Sequence, residues 1–191
     1  LVVRQRLLER LDAGATARLT LLSAPPGFGK TTLLAEWARA ATDPVKQVAW
    51  VSLDAGDTDP GSFWPYVVAS LAALVPGLGE ACEDLADAGR PAGPEAITTL
   101  LNELAGVAGD VWLVLDDYHL LVNNDVRDGV RFLLEHLPPQ VHVLISTRVD
   151  PDLPLSRWRG RGELVELRAA DLRFTREEAT EYLNAASGLE L

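Results

Sequence analysis

Apolar positions in this chain fall into two spacings that alternate from one end to the other. Short unbroken runs, such as Val111-Trp112-Leu113-Val114-Leu115 and Val141-His142-Val143-Leu144-Ile145, place apolar side chains on both faces of an extended segment. A strand needs that only if both of its faces are covered. The runs predict strands over 18–23, 48–53, 111–115 and 141–145, with a shorter, more exposed fifth over 164–167. Helical spacing predicts helices over 31–41, 59–75, 94–105, 125–137 and 175–188. Asp59 before Pro60 is a strong helix start, and Thr175 with Glu178 forms a capping box. Pro76-Gly77 and Pro138-Pro139 are stops. Residues 76–94, rich in Gly, Pro and acids, read as a long surface connection. Alternation of this kind predicts an α/β fold: a parallel sheet, helices on both faces, right-handed crossovers and a ligand beyond the carboxyl ends of the strands.

The first strand and first long helix are joined by Ala24-Pro25-Pro26-Gly27-Phe28-Gly29-Lys30-Thr31-Thr32. Strand, glycine loop and helix in that order give a phosphate-binding loop. Gly27 and Gly29 permit backbone conformations closed to other residues. Successive N–H groups of Pro26-to-Thr32 backbone, proline excepted, can then face one concavity at the positive end of the helix. Lys30 would reach the outer phosphates, and the Thr31 hydroxyl would ligate Mg²⁺. The pattern departs from the usual one at its first glycine, which is Ala24 here. Lys30 is one of only two lysines in the chain.

The third strand runs into Asp116-Asp117. An acid at the end of a buried strand near a phosphate loop can hold the Mg²⁺ shell. A second acid beside it can orient or deprotonate an attacking water. The fourth strand ends Ser146-Thr147-Arg148, and Arg148 is placed to sense a γ-phosphate as a charge-assisted donor. The plainer alternative is an ion pair between Arg148 and Asp150 or Asp152. With this chemistry the fold class becomes a three-layer P-loop NTPase with a five-stranded parallel sheet of the ASCE type, which has an extra central strand. One domain is expected over 1–191, with its core at about 17–170.

Composition narrows the partners. The 191 residues carry a net charge of −11, which argues against a nucleic-acid surface on this segment. The local cluster Arg157, Arg159 and Arg161 is expected to serve an intramolecular or nucleotide-facing role rather than a DNA site. Cys82 is the only cysteine, so no intrachain disulfide forms and a cytoplasmic setting fits. It falls in the expected loop without basic neighbours and reads as inert. His119, His136 and His142 have no metal-ligand spacing with it. No apolar run reaches membrane-spanning length. The chain has no methionine at all, so it is expected to be a fragment, with a further domain after the last helix.

Trp50-Val51-Ser52-Leu53-Asp54, then Asp57, Asp59-Pro60 and Phe63-Trp64, resemble the ATPase domain of MalT-like regulators. So do Asp116-Asp117-Tyr118-His119, Ser146-Thr147-Arg148 and Asp171-Leu172-Arg173-Phe174-Thr175. These are large ATP-binding members of the LuxR group, within the signal-transduction ATPases with numerous domains (STAND). Alanine at the first loop position is also how that family looks. The resemblance implies that Pro26, Gly27, Phe28, Gly29, Lys30, Thr31 and Thr32 bind ATP or ADP, and that Thr31 and Asp116 hold Mg²⁺. It implies that Lys30, Asp117 and Arg148 serve catalysis and γ-phosphate reading, and that Val3-Arg4-Gln5-Arg6 packs on the adenine. It further implies a small-molecule inducer, nucleotide-dependent self-association, and DNA contact through a carboxyl-terminal helix-turn-helix outside this chain. The first functional expectation is therefore a slowly hydrolysing switch. A steady-turnover ATPase, a phosphotransferase and a nucleotide-binding scaffold remain as alternatives.

Overall fold

A computed structural model describes residues 3–40, 46–54, 59–87 and 93–187, with side chains as far as residue 184. Its sheet has five strands: β1 (Leu19–Ser23), β2 (Gln47–Ser52), β3 (Val111–Asp116), β4 (Val141–Thr147) and β5 (Leu164–Arg168). All pairings are parallel, in the order β2-β3-β4-β1-β5. Every residue of β1, β3 and β4 is buried, as their two-faced apolar runs require. The edge strands β2 and β5 are only partly covered.

Alternation along the strands sends side chains into two separate cores. Val111, Leu113 and Leu115 pack with Phe63, Trp64, Ile97, Val126 and Trp158. Trp112 and Val114 pack on the other face with Leu7, Leu11, Leu33, Leu34 and Trp37. The first core is covered by α3 (Pro60–Ala72), α6 (Pro94–Ala105) and α7 (Asn124–Glu135), and the second by α1 (Gln5–Asp12) and α2 (Lys30–Ala40). Helices therefore lie on both faces, in three layers. Burying one Leu, Val or Phe side chain contributes about 1.5–3 kcal/mol, so the two cores are the main source of stability.

Start signals act where the sequence put them, at Asp59 and Thr175, whereas α3 ends at Ala72, short of the expected 75. Asp59 caps α3 by accepting from the Gly61 N–H at 3.0 Å. The capping box of α9 (Arg176–Ser187) is reciprocal: Thr175 N–H donates to Glu178 at 2.9 Å, and Glu178 N–H donates to Thr175 Oγ1 at 3.2 Å. Helix α7 starts earlier than expected because Asn123 caps it, accepting from the Asp125 and Val126 N–H groups.

One expectation fails and two elements come unannounced. The stretch after Pro76 is not a plain surface connection: it forms α4 (Leu78–Ala81) and α5 (Glu83–Ala86). Leu78, Cys82 and Leu85 are spaced as one helical face and are buried in the first core. Residues 88–92 of that stretch lie outside the described residues. Cys82 is inert for a different reason than a loop would give: burial pushes its thiol up to about 11. The two unannounced helices are α1 and α8 (Leu155–Gly160). The family-like residue Asp57 also lies outside the described residues.

Candidate functional site

The carboxyl ends of four strands are level. Ser23 of β1 pairs with Thr147 of β4 and Arg168 of β5, and Leu115 pairs with Ile145 one step before Asp116. The glycine loop leaves this edge from β1 and enters α2 at Lys30. Gly27 and Gly29 both have positive φ, 85° and 72°, which any side chain would strain. The N–H groups of Gly27, Phe28 and Gly29 donate to no other described residue. Pro26, Thr31 and Thr32 are exposed around that cradle. Lys30 is buried, and its Nζ donates to the loop carbonyls of Ala24 at 2.8 Å and Pro25 at 3.3 Å. Burial lowers the Lys30 pKa, Asp117 opposes this, Arg148 adds to it, and Asp116 opposes it. Loop lysine, paired acids and arginine thus share one electrostatic neighbourhood.

Strand β4 lies between β1 and β3, so a side chain of β4 can bridge the loop strand and the acid strand. Ser146 does this. Its buried hydroxyl donates to Asp116 Oδ1 and accepts the Asp117 N–H at 3.0 Å. Asp116 is 2% exposed, and its Oδ1 also accepts the Asp117 N–H at 3.1 Å. Asp117 is the one non-glycine among the described residues with positive φ, at 58°. Left-handed backbone is tolerated best by short polar residues such as Asp. It turns the chain sharply at the strand end, so Asp116 stays buried while Asp117 is partly exposed.

Arg148 is exposed, and among the described residues no acid lies within ion-pair distance of it. The plainer pairing does not occur. Asp150 is held by Arg168 and accepts from Ser23 Oγ at 2.9 Å, while Asp152 lies 3.7 Å from Arg131. The Arg168 bond holds the Asp150 carboxyl below its ordinary value. His119, beside Asp117, has no metal-ligand spacing in the sequence and belongs to the family-like run Asp116-Asp117-Tyr118-His119, without an assigned task. The structure sets it in the same neighbourhood, where burial lowers its pKa and Arg148 lowers it further.

Beside the loop is a cavity of about 460 Å³, lined by Arg4, Phe28, Thr32, Glu36, Phe174 and Tyr182 among others. Its walls come from both ends of the chain. Arg4 is 7% exposed, donates to the Leu172 carbonyl at 3.1 Å, and lies 5.5 Å over the Phe174 ring. Phe174 stacks on Tyr182 at 5.7 Å. Arg6 donates to the carbonyls of Asp171 (2.7 Å) and Arg173 (2.8 Å) and pairs with Glu178 at 2.9 Å. Arg10 pairs with Asp171 at 2.6 Å. Three arginines of α1 and its approach therefore tie the amino end to the segment after β5. Sequence reasoning reached Arg4 but not Glu36 or Tyr182. The basic cluster of α8 is largely intramolecular: Arg157 pairs with Glu135, and Arg159 with Glu166 at 2.7 Å. Arg161 is exposed.

Known proteins resemble this chain at two levels. The sequence model of the "AAA ATPase domain" matches residues 3–146. The transcriptional regulator MalT of Yersinia enterocolitica is 35% identical over 100% of this chain and 21% of its own length. That of Cronobacter sakazakii is 34% identical over 96% of this chain and 20% of its own length. The chain thus spans about a fifth of the length of these curated relatives. Among solved structures, Aeropyrum pernix ORC1, in complex with DNA, superposes with a TM-score of 0.57 at 18% identity, covering 98% of this chain and 50% of that one. A DNA replication initiation factor superposes at 0.51 with 19% identity, covering 97% of this chain and 51% of that one. At such identities the likeness is one of fold: a P-loop NTPase sheet. No helix among the described residues is long and apolar enough to cross a membrane.

Proposed function

The chain belongs to the AAA ATPase domain family, and on that basis we propose that it is the ATP-binding, slowly hydrolysing switch domain of an inducer-responsive bacterial transcription regulator. The observation that carries the reading is one level sheet edge bearing the glycine loop, Asp116, Asp117 and Arg148, with a cavity of about 460 Å³ beside it, large enough for a nucleoside. The likeness to MalT regulators over the whole chain supports the regulatory part. DNA would be met through a helix-turn-helix elsewhere, since this segment carries −11. A small-molecule inducer would bind elsewhere too, nucleotide-dependent self-association would accompany the ATP state, and the setting would be cytoplasmic.

Each residue then has a task. The N–H groups of Gly27, Phe28 and Gly29 cradle phosphate oxygens. Lys30 exchanges its two carbonyl partners for phosphate oxygen, a stronger charge-assisted bond. The residues present suit Mg²⁺: Asp116 Oδ1 is occupied by Ser146 and the Asp117 N–H, which fixes the carboxylate that would hold the ion. Thr31, exposed at the first turn of α2, supplies a hydroxyl. Bound there, Mg²⁺ would offset charge on the phosphate oxygens. Asp117 orients and polarises the attacking water. Arg148, without a partner acid among the described residues, is available to the γ-phosphate. Arg4 and Phe174 offer a cation and an aromatic face to the adenine.

The test is titration with a fluorescent ATP analogue of the native chain and of Lys30→Ala. Loss of the buried cation should weaken binding by ~1.5–3 kcal/mol, roughly ten- to a hundredfold. Equal affinity in the two proteins would refute the site.

A further inference from the structure

We propose that His119 is a positioning residue for Asp117, orienting the carboxylate that polarises the attacking water. This rests on the hydrolytic reading above. His119 sits in the single turn over 118–120, directly after the left-handed Asp117. Both of its ring nitrogens are buried, and neither has a hydrogen-bond partner among the described residues. A buried polar atom without a partner is costly, so two on one ring need a reason. Packing alone does not supply one, because a phenylalanine would fill the same place without stranding two nitrogens.

The position supplies the reason. His119 Nδ1 lies 3.7 Å from Asp117 Oδ1. That lies just beyond hydrogen-bond distance. Hydrogen bonds of a working site are commonly long before substrate binds and tighten in its complex. The surroundings disfavour the charged ring: burial disfavours its cation most, Arg148 and Lys30 disfavour it further, and Asp117 and Asp116 oppose them. A neutral imidazole can donate one N–H to Asp117 and still leave that carboxylate its full charge. His119 makes and breaks no covalent bond; it restricts where the Asp117 oxygen points. This resembles the way a partner behind a catalytic group usually fixes its orientation.

Three measurements on the full chain test the assignment in His119→Phe and His119→Asn: ATP affinity, phosphate release at saturating Mg–ATP, and melting temperature. The Phe variant should bind ATP as the native chain does and melt at the same temperature or higher, because it removes two unpaired nitrogens. Its phosphate release should fall on the order of tenfold or more, the scale on which loss of an orienting partner acts. The Asn variant retains an N–H donor and should recover part of that rate. Native-level release by the Phe variant, or an Asn variant no faster than it, would overturn the assignment alone. So would a rate loss matched by lost affinity, lost stability or failure to fold, since His119 would then be a packing residue. A native chain that releases no phosphate would overturn the hydrolytic reading and the assignment with it.

Discussion

The phosphate half and the base half of the proposed site are built in opposite ways. The loop from Ala24 to Thr32 is contiguous, and its shape depends on two local requirements: positive φ at Gly27 and Gly29. The base half joins Arg4 to Leu172 across 168 positions, and its walls are held by arginine bonds to backbone carbonyls and acids. A contiguous loop anchored on a buried strand is rigid by construction. A cavity closed by ties between the two ends of the chain is only as firm as those ties. The two halves should therefore fail differently: the first by losing a charge or a water-directing group, the second by loosening.

The largest effect should come from separating the acids of the phosphate half. Asp117→Asn should leave ATP affinity nearly unchanged while phosphate release falls by roughly 10²–10⁴, because a water-polarising group acts mainly in the transition state. Asp116→Asn should instead remove the dependence of binding on Mg²⁺. Binding with and without the metal, followed by single-turnover phosphate release, checks both. Equal loss of binding in the two variants would erase the division of roles.

A smaller effect should follow from loosening the base half. Arg6→Ala removes the Glu178 pair and the bonds to Asp171 and Arg173. ATP affinity should fall by about 1 kcal/mol, with the rate at saturation unchanged. Calorimetric titration and steady-state phosphate release would read the two terms separately. The same tie adds a weak pH dependence. The Arg6 bond holds the Glu178 carboxyl below its ordinary 4.5, against burial. Its folded pKa is depressed, so the contribution is present above pH 4.5 and is lost as pH falls through the lower folded value. Arg6 is 37% exposed, so the size is well under ~1 kcal/mol. Urea midpoints should therefore converge between native chain and Arg6→Ala as the solution is acidified below that range.

The same contrast decides what the sequence made legible. The placement of the glycine loop, Asp116-Asp117 and Arg148 at strand ends could be read because each lies in adjacent residues and the strand before each is unmistakably apolar. Ser146 was quoted in its motif without a task, because only the strand order shows that β4 bridges the loop strand and the acid strand. Tyr182 and Glu36 carried no local signal; they meet Arg4 through folding alone. Helix α1 was within reach of the sequence, because Leu7, Leu8 and Leu11 have amphipathic spacing. The spacing of Leu78, Cys82 and Leu85 was hidden among glycines and acids. His119 stands in a family-like run without metal-ligand spacing, and only the fold shows that it lies 3.7 Å from Asp117.

The central claim is that the two halves form one adenine-nucleotide site, and competition between ATP and inorganic tripolyphosphate tests it most directly. Both would be titrated calorimetrically into the native chain in Mg²⁺. The account predicts one ATP per chain, displaced by tripolyphosphate that binds on the order of tenfold more weakly or worse, because it lacks a base to stack on Phe174 and Arg4. Tripolyphosphate binding as tightly as ATP would leave the 460 Å³ cavity without a role in nucleotide binding, and absence of ATP binding would contradict the account altogether.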